Sequence, residues 1–262
     1  MSLPIYEATG FQRILDRGGN SKPWVVLVDM NGSPRPYVVK LYKTIDIEAR
    51  NKMTAEVLGN VLATDFGLNA PSAAIINFSE EFKMQLNSEC EEILSDLDER
   101  PKFGTEFIDA SFLYNQGFTR KETLDLIDPP LLYAYDYFIC NRDRNLNKPN
   151  LLINKSNTFL IDHEMALEIN ESSINNFNQE IWDSRYQHHL FYHFITKYKN
   201  KANLFDEFLL YLHEVNFRKF DSYFYQLEKF GFSTHRELIL EYWLLIQKKS
   251  SIFANILLSS IQ

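Results

Sequence analysis

The chain has 262 residues, of which 45% are hydrophobic and 15% aromatic, and carries a formal net charge of −8. That is enough apolar material to bury a large core as one or two domains without external staples, and a two-lobed globule is expected. The acidic balance argues against broad nucleic-acid binding; the local Lys197, Lys199, Lys201 run reads as a solvated helix end.

Cys90 and Cys140 are the only cysteines, and Cys140 closes an apolar run, which speaks against a disulfide framework or a thiolate metal site. No apolar stretch approaches the roughly 20 residues that span a bilayer, and Met1 to Arg17 lack a signal-peptide pattern. A cytoplasmic protein with no membrane contact is expected.

Near the N-terminus, Arg17-Gly18-Gly19-Asn20-Ser21-Lys22 places two glycines where the backbone can approach a ligand closely, and its free amides could cradle phosphates or form an ordinary loop. Trp24 to Val28 and Tyr37 to Tyr42 are β-rich runs around the turn Asn31-Gly32-Ser33-Pro34, which predicts an antiparallel hairpin. Lys40 lies in the second run among β-branched and aromatic residues, where its ammonium meets either an anion or solvent. From Ile47 to Phe66, Met53, Val57, Leu58, Val61, Leu62 and Phe66 recur at helical spacing, and Gly67 and Pro71 end the segment. Glu56 sits beside that stripe, positioned to reach inward toward Lys40 or outward to water.

Ala73 to Phe78 predicts a further strand, and the acidic stretch Ser79 to Lys102 an exposed insertion or helix. Phe103-Gly104-Thr105-Glu106-Phe107-Ile108 reads as a short apolar link, a place for a flat ring to lie. Leu131 to Cys140 is apolar all round except Asp136 and predicts a buried helix that delivers the Asn141 to Asn150 loop to a fixed place. Leu151 to Ile153 and Thr158 to Ile161 predict a hairpin. Asp143 then falls in the loop before it and Asp162, nineteen residues on, at the end of its second strand.

Two carboxylates so arranged could divide the work of phosphoryl transfer, one accepting a hydroxyl proton and one holding a divalent cation; alternatively they cap a helix and close a hairpin. Trp182 to Tyr198, Ala202 to Phe217, Phe220 to Phe230 and His235 to Leu258 predict helices. His189 and His193 have metal-ligand spacing, but their apolar neighbours favour a packed helix.

Pro23-Trp24 after the glycines, Tyr37-Val38-Val39-Lys40, Gly67-Leu68 with Pro71, Phe103-Gly104, Asn141-Arg142-Asp143-Arg144, Pro149-Asn150-Leu151-Leu152 and Leu160-Ile161-Asp162-His163 together resemble the HipA-like kinases over Phe11 to Leu167. The resemblance implies an α+β bilobal kinase-like fold, a small antiparallel-sheet N-lobe over 1–108 and a mostly helical C-lobe over 109–262. It also implies transfer of the γ-phosphate of ATP, with Mg²⁺, to a protein Ser or Thr. Residue by residue, Gly18, Gly19, Asn20 and Ser21 would cover the phosphates, Lys40 would contact the α/β-phosphates, Glu56 would hold Lys40, Asp143 would be the catalytic base and Asp162 the principal Mg²⁺ ligand. Ser21 matches a serine whose phosphorylation silences relatives.

Two positions depart from the family pattern. Lys148 stands where a metal-binding Asn is usual, leaving Asn147 or, preferred, Asn150 as second ligand and Lys148 as a phosphate contact; Glu164 replaces a glycine. The expected partners are ATP, an unidentified protein acceptor and, since several relatives are toxins of toxin–antitoxin pairs, an antitoxin-like protein. A small-molecule phosphotransferase and a non-catalytic pseudokinase binding module are the alternatives.

Overall fold

The computed structural model describes residues 2–16 and 22–262. Its first structural unit is a five-stranded barrel in the order β1-β2-β3-β5-β4, built from β1 (Ile5–Ile14), β2 (Trp24–Met30), β3 (Ser33–Val39), β4 (Ala73–Asn77) and β5 (Lys102–Glu106). The β2–β3 hairpin forms as the sequence predicts, in register from Trp24↔Val39 to Met30↔Ser33. Its two-residue turn has Asn31 and Gly32 both at positive φ, 56° and 80°, the handedness that matches the twist of paired strands. The sheet is not wholly antiparallel as expected, because β1 pairs β4 in parallel and closes the barrel. Trp24, Val26, Val28, Tyr37, Val39, Ala74 and Ile76 belong to one buried cluster with Phe82.

The helix expected over 47–66 is broken into α1 (Thr44–Arg50), α2 (Lys52–Ala63) and a single 3₁₀ turn over Thr64–Phe66. Asn51 causes the first break: it adopts a left-handed conformation, and its side-chain amide donates to Thr234 O at 2.9 Å, a partner far along the chain. The acidic segment forms α3 (Glu80–Lys83) and α4 (Ser88–Ser95), capped by the Ser79 and Asn87 side chains. It is not simply exposed, since Phe82, Leu86 and Cys90 bury against the barrel. The segment expected to be a link is β5, a strand between β3 and β4.

A second sheet, in the order β6-β7-β8, comprises β6 (Phe112–Leu113), β7 (Leu151–Asn154) and β8 (Asn157–Leu160). Around it lie α5 (Arg120–Leu126), α6 (Pro129–Phe138), α7 (Glu171–Asn178), α8 (Tyr192–Ile195), α9 (Asp206–Glu214), α10 (Asp221–Lys229), α11 (Arg236–Lys248) and α12 (Ser250–Ser260). Every residue of α6 is buried. Asp128 caps it by accepting from Leu131 N at 2.9 Å, Pro129 and Pro130 pre-set its first turn, and Cys140 at φ 56° turns the chain out of it.

The largest core, including Phe66, Tyr135, Phe138, Phe208, Phe217, Trp243 and Phe253, surrounds this helix. The helix expected over 182–198 is instead a 3₁₀ turn, Ser184–His188, followed by the short α8, and the one expected over 235–258 is divided at Lys249 into α11 and α12. The two cysteines are free and buried. No helix among the described residues is long and apolar enough to cross a membrane.

Candidate active site

Lys40 follows the last residue of β3, and its amide continues the ladder by donating to Phe103 O at 3.3 Å. The side chain lies between two carboxylates: Nζ is 2.5 Å from Glu56 Oε1 on α2 and hydrogen-bonds to Asp162 Oδ1 after β8. Burial opposes the ammonium charge, but Glu56 and Asp162 outweigh it and hold the Lys40 pKa above its ordinary value. Glu56 has a side chain only 1% exposed, and burial raises its pKa even against the attraction of Lys40. Both its oxygens are occupied: Tyr42 OH also donates to Oε1 at 2.9 Å, and His163 N–H donates to Oε2 at 3.0 Å. For Asp162, burial is overcome by Lys40, and its pKa falls below the usual carboxylate range.

Asp143 occupies the loop between α6 and β7. Its backbone N–H donates to Asn141 Oδ1 at 3.3 Å, and its carboxylate receives Lys148 Nζ at 3.1 and 3.2 Å. Lys148 is thus turned toward Asp143, near enough for its charge to be felt at Asp162 as well. Asn150 sits directly before β7 at φ 45°, and its carbonyl accepts Ile161 N–H at 3.1 Å, which sets it across the hairpin from the residue preceding Asp162. Asn150 is buried with an unpartnered Nδ2. Turning that amide over presents its oxygen to the same space.

Glu56, Asp162 and Glu164 each offer a carboxylate oxygen within 4.8 Å of the others. A donor set made only of hard oxygens, with an orphaned buried amide on the neighbouring loop, fits Mg²⁺ in chemistry. Glu164 is drawn toward Lys52 at 3.5 Å.

The structure therefore brings Lys40, Glu56 and Asp162 into direct contact and pairs Asp143 with Lys148. The Gly18, Gly19, Asn20 and Ser21 cradle lies outside the described residues. The His189 and His193 pair does not form a ligand set: His189 is buried, with Nε2 donating to Asp136 Oδ2 at 3.0 Å and Nδ1 accepting from Phe191 N at 3.1 Å, while His193 lies on α8 with its face exposed.

Sequence reasoning missed the support beneath the loop. Asp136 of α6 accepts from Asn141 Nδ2 at 2.8 Å, Arg144 Nε at 2.6 Å and His189. Arg144, fully buried, also donates to the carbonyl oxygens of Asn150 and, at 3.4 Å, Pro149. The lone carboxylate in the apolar run of α6 was the available signal, because a buried charge requires a partner. Burial and the Arg144 charge push the His163 imidazole down to about 3, so this ring is neutral. That Tyr42 and His163 hold Glu56 carried no signal in the sequence.

A family model described as HipA-like kinase matches residues 16–215. Among solved structures, the chain is similar to the crystal structure of a Helicobacter pylori proinflammatory kinase, CtkA, with a TM-score of 0.53 and 13% identity over 100% of this chain and 99% of that one. At that identity the likeness concerns the fold alone. Among curated proteins, none matches the chain.

Proposed function

The chain belongs to the HipA-like kinase family, and from that membership we infer that it is an ATP- and Mg²⁺-dependent phosphotransferase acting on a protein hydroxyl. The observation that carries the reading is Lys40, a half-buried ammonium held 2.5 Å from Glu56 and facing Asp162, the hard-oxygen end of the site. Bound Mg²⁺-ATP supplies the transferable phosphoryl group and the divalent charge that offsets its oxygens.

The residues of the chain do the rest. Glu56, locked by Tyr42 OH and His163 N–H, aims Lys40 at the α/β-phosphates. Asp162 holds the metal, with Asn150 as second ligand. Asp143 accepts the proton of the acceptor hydroxyl, which requires Lys148 to leave its carboxylate; Lys148 then has the γ-phosphate within its reach as the alternative anion. The nucleotide would lie where the barrel part, 1–108, meets the helical part, 109–262. The acceptor and an antitoxin-like partner are read by surfaces outside this pocket.

A second reading, a pseudokinase that binds nucleotide without turnover, is favoured by one contact: the Lys148 ammonium already neutralises Asp143.

The test is thermal unfolding with and without Mg²⁺-ATP, together with transfer from radiolabelled ATP. Nucleotide at about 100 times its dissociation constant stabilises by about 2.7 kcal/mol, or about 5 to 10 °C for a chain of this size. Wild type should show that shift and Asp162→Asn should lose it. Asp143→Ala should keep the shift while transfer falls by about 10² to 10⁴-fold. A shift in wild type with no transfer at all decides for the pseudokinase; transfer that Asp143→Ala leaves unchanged removes Asp143 from the role of base, and no shift in wild type sinks both readings.

A further inference from the structure

Outside the candidate active site, a cavity of about 240 Å³ lies between α4 and the barrel. At about 30 Å³ per water in the bulk liquid, that is room for about eight waters. Phe78, Leu86, Leu94 and Leu97 give it an apolar wall, and of the two lysines that line it Lys83 is paired with Glu80 at 2.7 Å, whereas Lys102, the first residue of β5, is buried. Lys102 is only 7% exposed. Among the described residues its ammonium has no carboxylate partner. It donates to the backbone carbonyls of Asp98 and Arg100 and lies 5.9 Å from the centre of the Phe78 ring.

We propose that Lys102 is a covalent acylation site, taking a small acyl group from an activated donor such as an acyl phosphate or a thioester, with the cavity under α4 receiving the transferred group. The neutral amine attacks the donor carbonyl carbon. The N–C bond forms, the C–O or C–S bond breaks, the phosphate or thiolate leaves with the bonding pair, and the amine's surplus proton passes to solvent.

Three features make Lys102 the selective target. The wall residues offer a short acyl chain an apolar lodging, which an exposed lysine lacks. The charged groups facing the amine nearly balance: Lys83 of α3 and Arg100 disfavour its charge, while Glu91 of α4, Asp98 and Glu99 favour it, so burial decides. The Lys102 pKa accordingly falls to about 8. At pH 7.5 about a quarter of such an amine is neutral, against about one part in a thousand of a lysine at its ordinary 10.4.

Acylation would also be felt structurally. An amide keeps one N–H where the ammonium had three, so at least one of the Asp98 and Arg100 carbonyls loses its donor. Those residues hold the turn from which Arg100 reaches Glu48 at 2.7 Å and Gly231 O at 2.6 Å. The next residue of β5, Phe103, accepts the Lys40 amide. The inference needs no assumption about the reaction at Asp143.

The test exposes the folded chain to sub-stoichiometric acetyl phosphate, and in a parallel arm to an acetyl thioester, at pH 8, and maps site occupancy by peptide mass spectrometry. Lys102 should be acetylated at least tenfold faster than the exposed Lys43 and Lys155, and the preference should vanish in denaturant. Preference with only one donor identifies the class of donor. Leu94→Trp, which fills the cavity, should protect Lys102 and leave Lys43 unchanged. Labelling of Lys102 at or below the rate of the exposed lysines in the folded chain, or unchanged labelling in Leu94→Trp, overturns the proposal.

Discussion

Gly59 lies one helical turn after Glu56, and its missing side chain is what allows α2 to rest on the loop that carries Asp162. A Cβ there would lie 2.6 Å from His163 Cβ and 2.7 Å from Cγ, while Gly59 O accepts Tyr135 OH at 2.7 Å and fixes the helix from the other side. Two effects compete in Gly59→Ala. Helix propensity favours alanine by about 1 kcal/mol, but overpacking against a ring that cannot retreat costs about 1 to 3 kcal/mol. His163 is buried and its amide is held by Glu56, so the clash should win. Gly59→Ala is expected to lose about 1 to 2 kcal/mol in urea unfolding and to forfeit most of the Mg²⁺-ATP stabilisation, because Asp162 moves with His163. A gain in stability would mean that the loop yields. Lys40 and Glu56 stood out in the sequence as charges inside or beside an apolar pattern, each with a solvent-facing alternative, and only the resemblance set them against each other. Gly59 was not, because a glycine in a helical pattern looks the same whether it faces water or a histidine distant in sequence.

At the scale of elements, α6 acts as the anvil of the site. Its one charged residue, Asp136, grips Asn141 and Arg144, and Arg144 grips the carbonyl of Asn150, so both ends of the loop that carries Asp143 are tied to a helix that is buried throughout. Arg144 holds the Asp136 carboxyl down at about 2 in spite of burial, and the His189 hydrogen bond adds to that. Removing one member of such a pair leaves a buried charge uncompensated. Asp136→Ala should therefore cost about 3 to 5 kcal/mol, read as a fall in the denaturant midpoint. The double variant Asp136→Leu, Arg144→Met should cost clearly less than the sum of the two single variants. Additive losses would show that the two side chains do not act as a pair. The helix, the loop and the hairpin were each readable from pattern and spacing. The network was not, since Asp136 meets His189 at a separation of 53 residues. The division between α1 and α2 was hidden for the same reason, as Asn51 takes its left-handed turn to reach Thr234. Local signals place elements, whereas contacts between distant residues decide where an element breaks and what lies under a loop.

Over the whole molecule, the buried histidines determine how the protein meets acid. Burial and Arg144 lower the His163 pKa to about 3, and burial lowers that of His189, with Asp136 offsetting only part. Both rings hold a proton less readily in the folded chain than in the unfolded one, where they titrate near 6.5, and His163 stays neutral. A pKa depressed by folding gives stability that is fully present above the unfolded value and is lost as pH falls, because the unfolded state then takes up the extra protons. A ring that stays neutral while its unfolded counterpart charges contributes a slope of up to about 1.4 kcal/mol per pH unit, which His163 supplies below about pH 5.5, and His189 adds to it in the same direction. Asp136 acts in the same direction below about pH 4. Glu56, whose pKa is raised, acts the other way. Lys40, also raised, affects only strongly alkaline solution. The urea midpoint should hold from pH 8 to 7 and fall steeply from 6 to 5. His189→Gln, which keeps a donor for Asp136 without a titrating ring, should make that fall shallower. A midpoint that stays level down to pH 5 would mean that the two rings are charged in the folded state, and with His163 charged beside Asp162 the metal end of the site would be electrostatically closed to a cation.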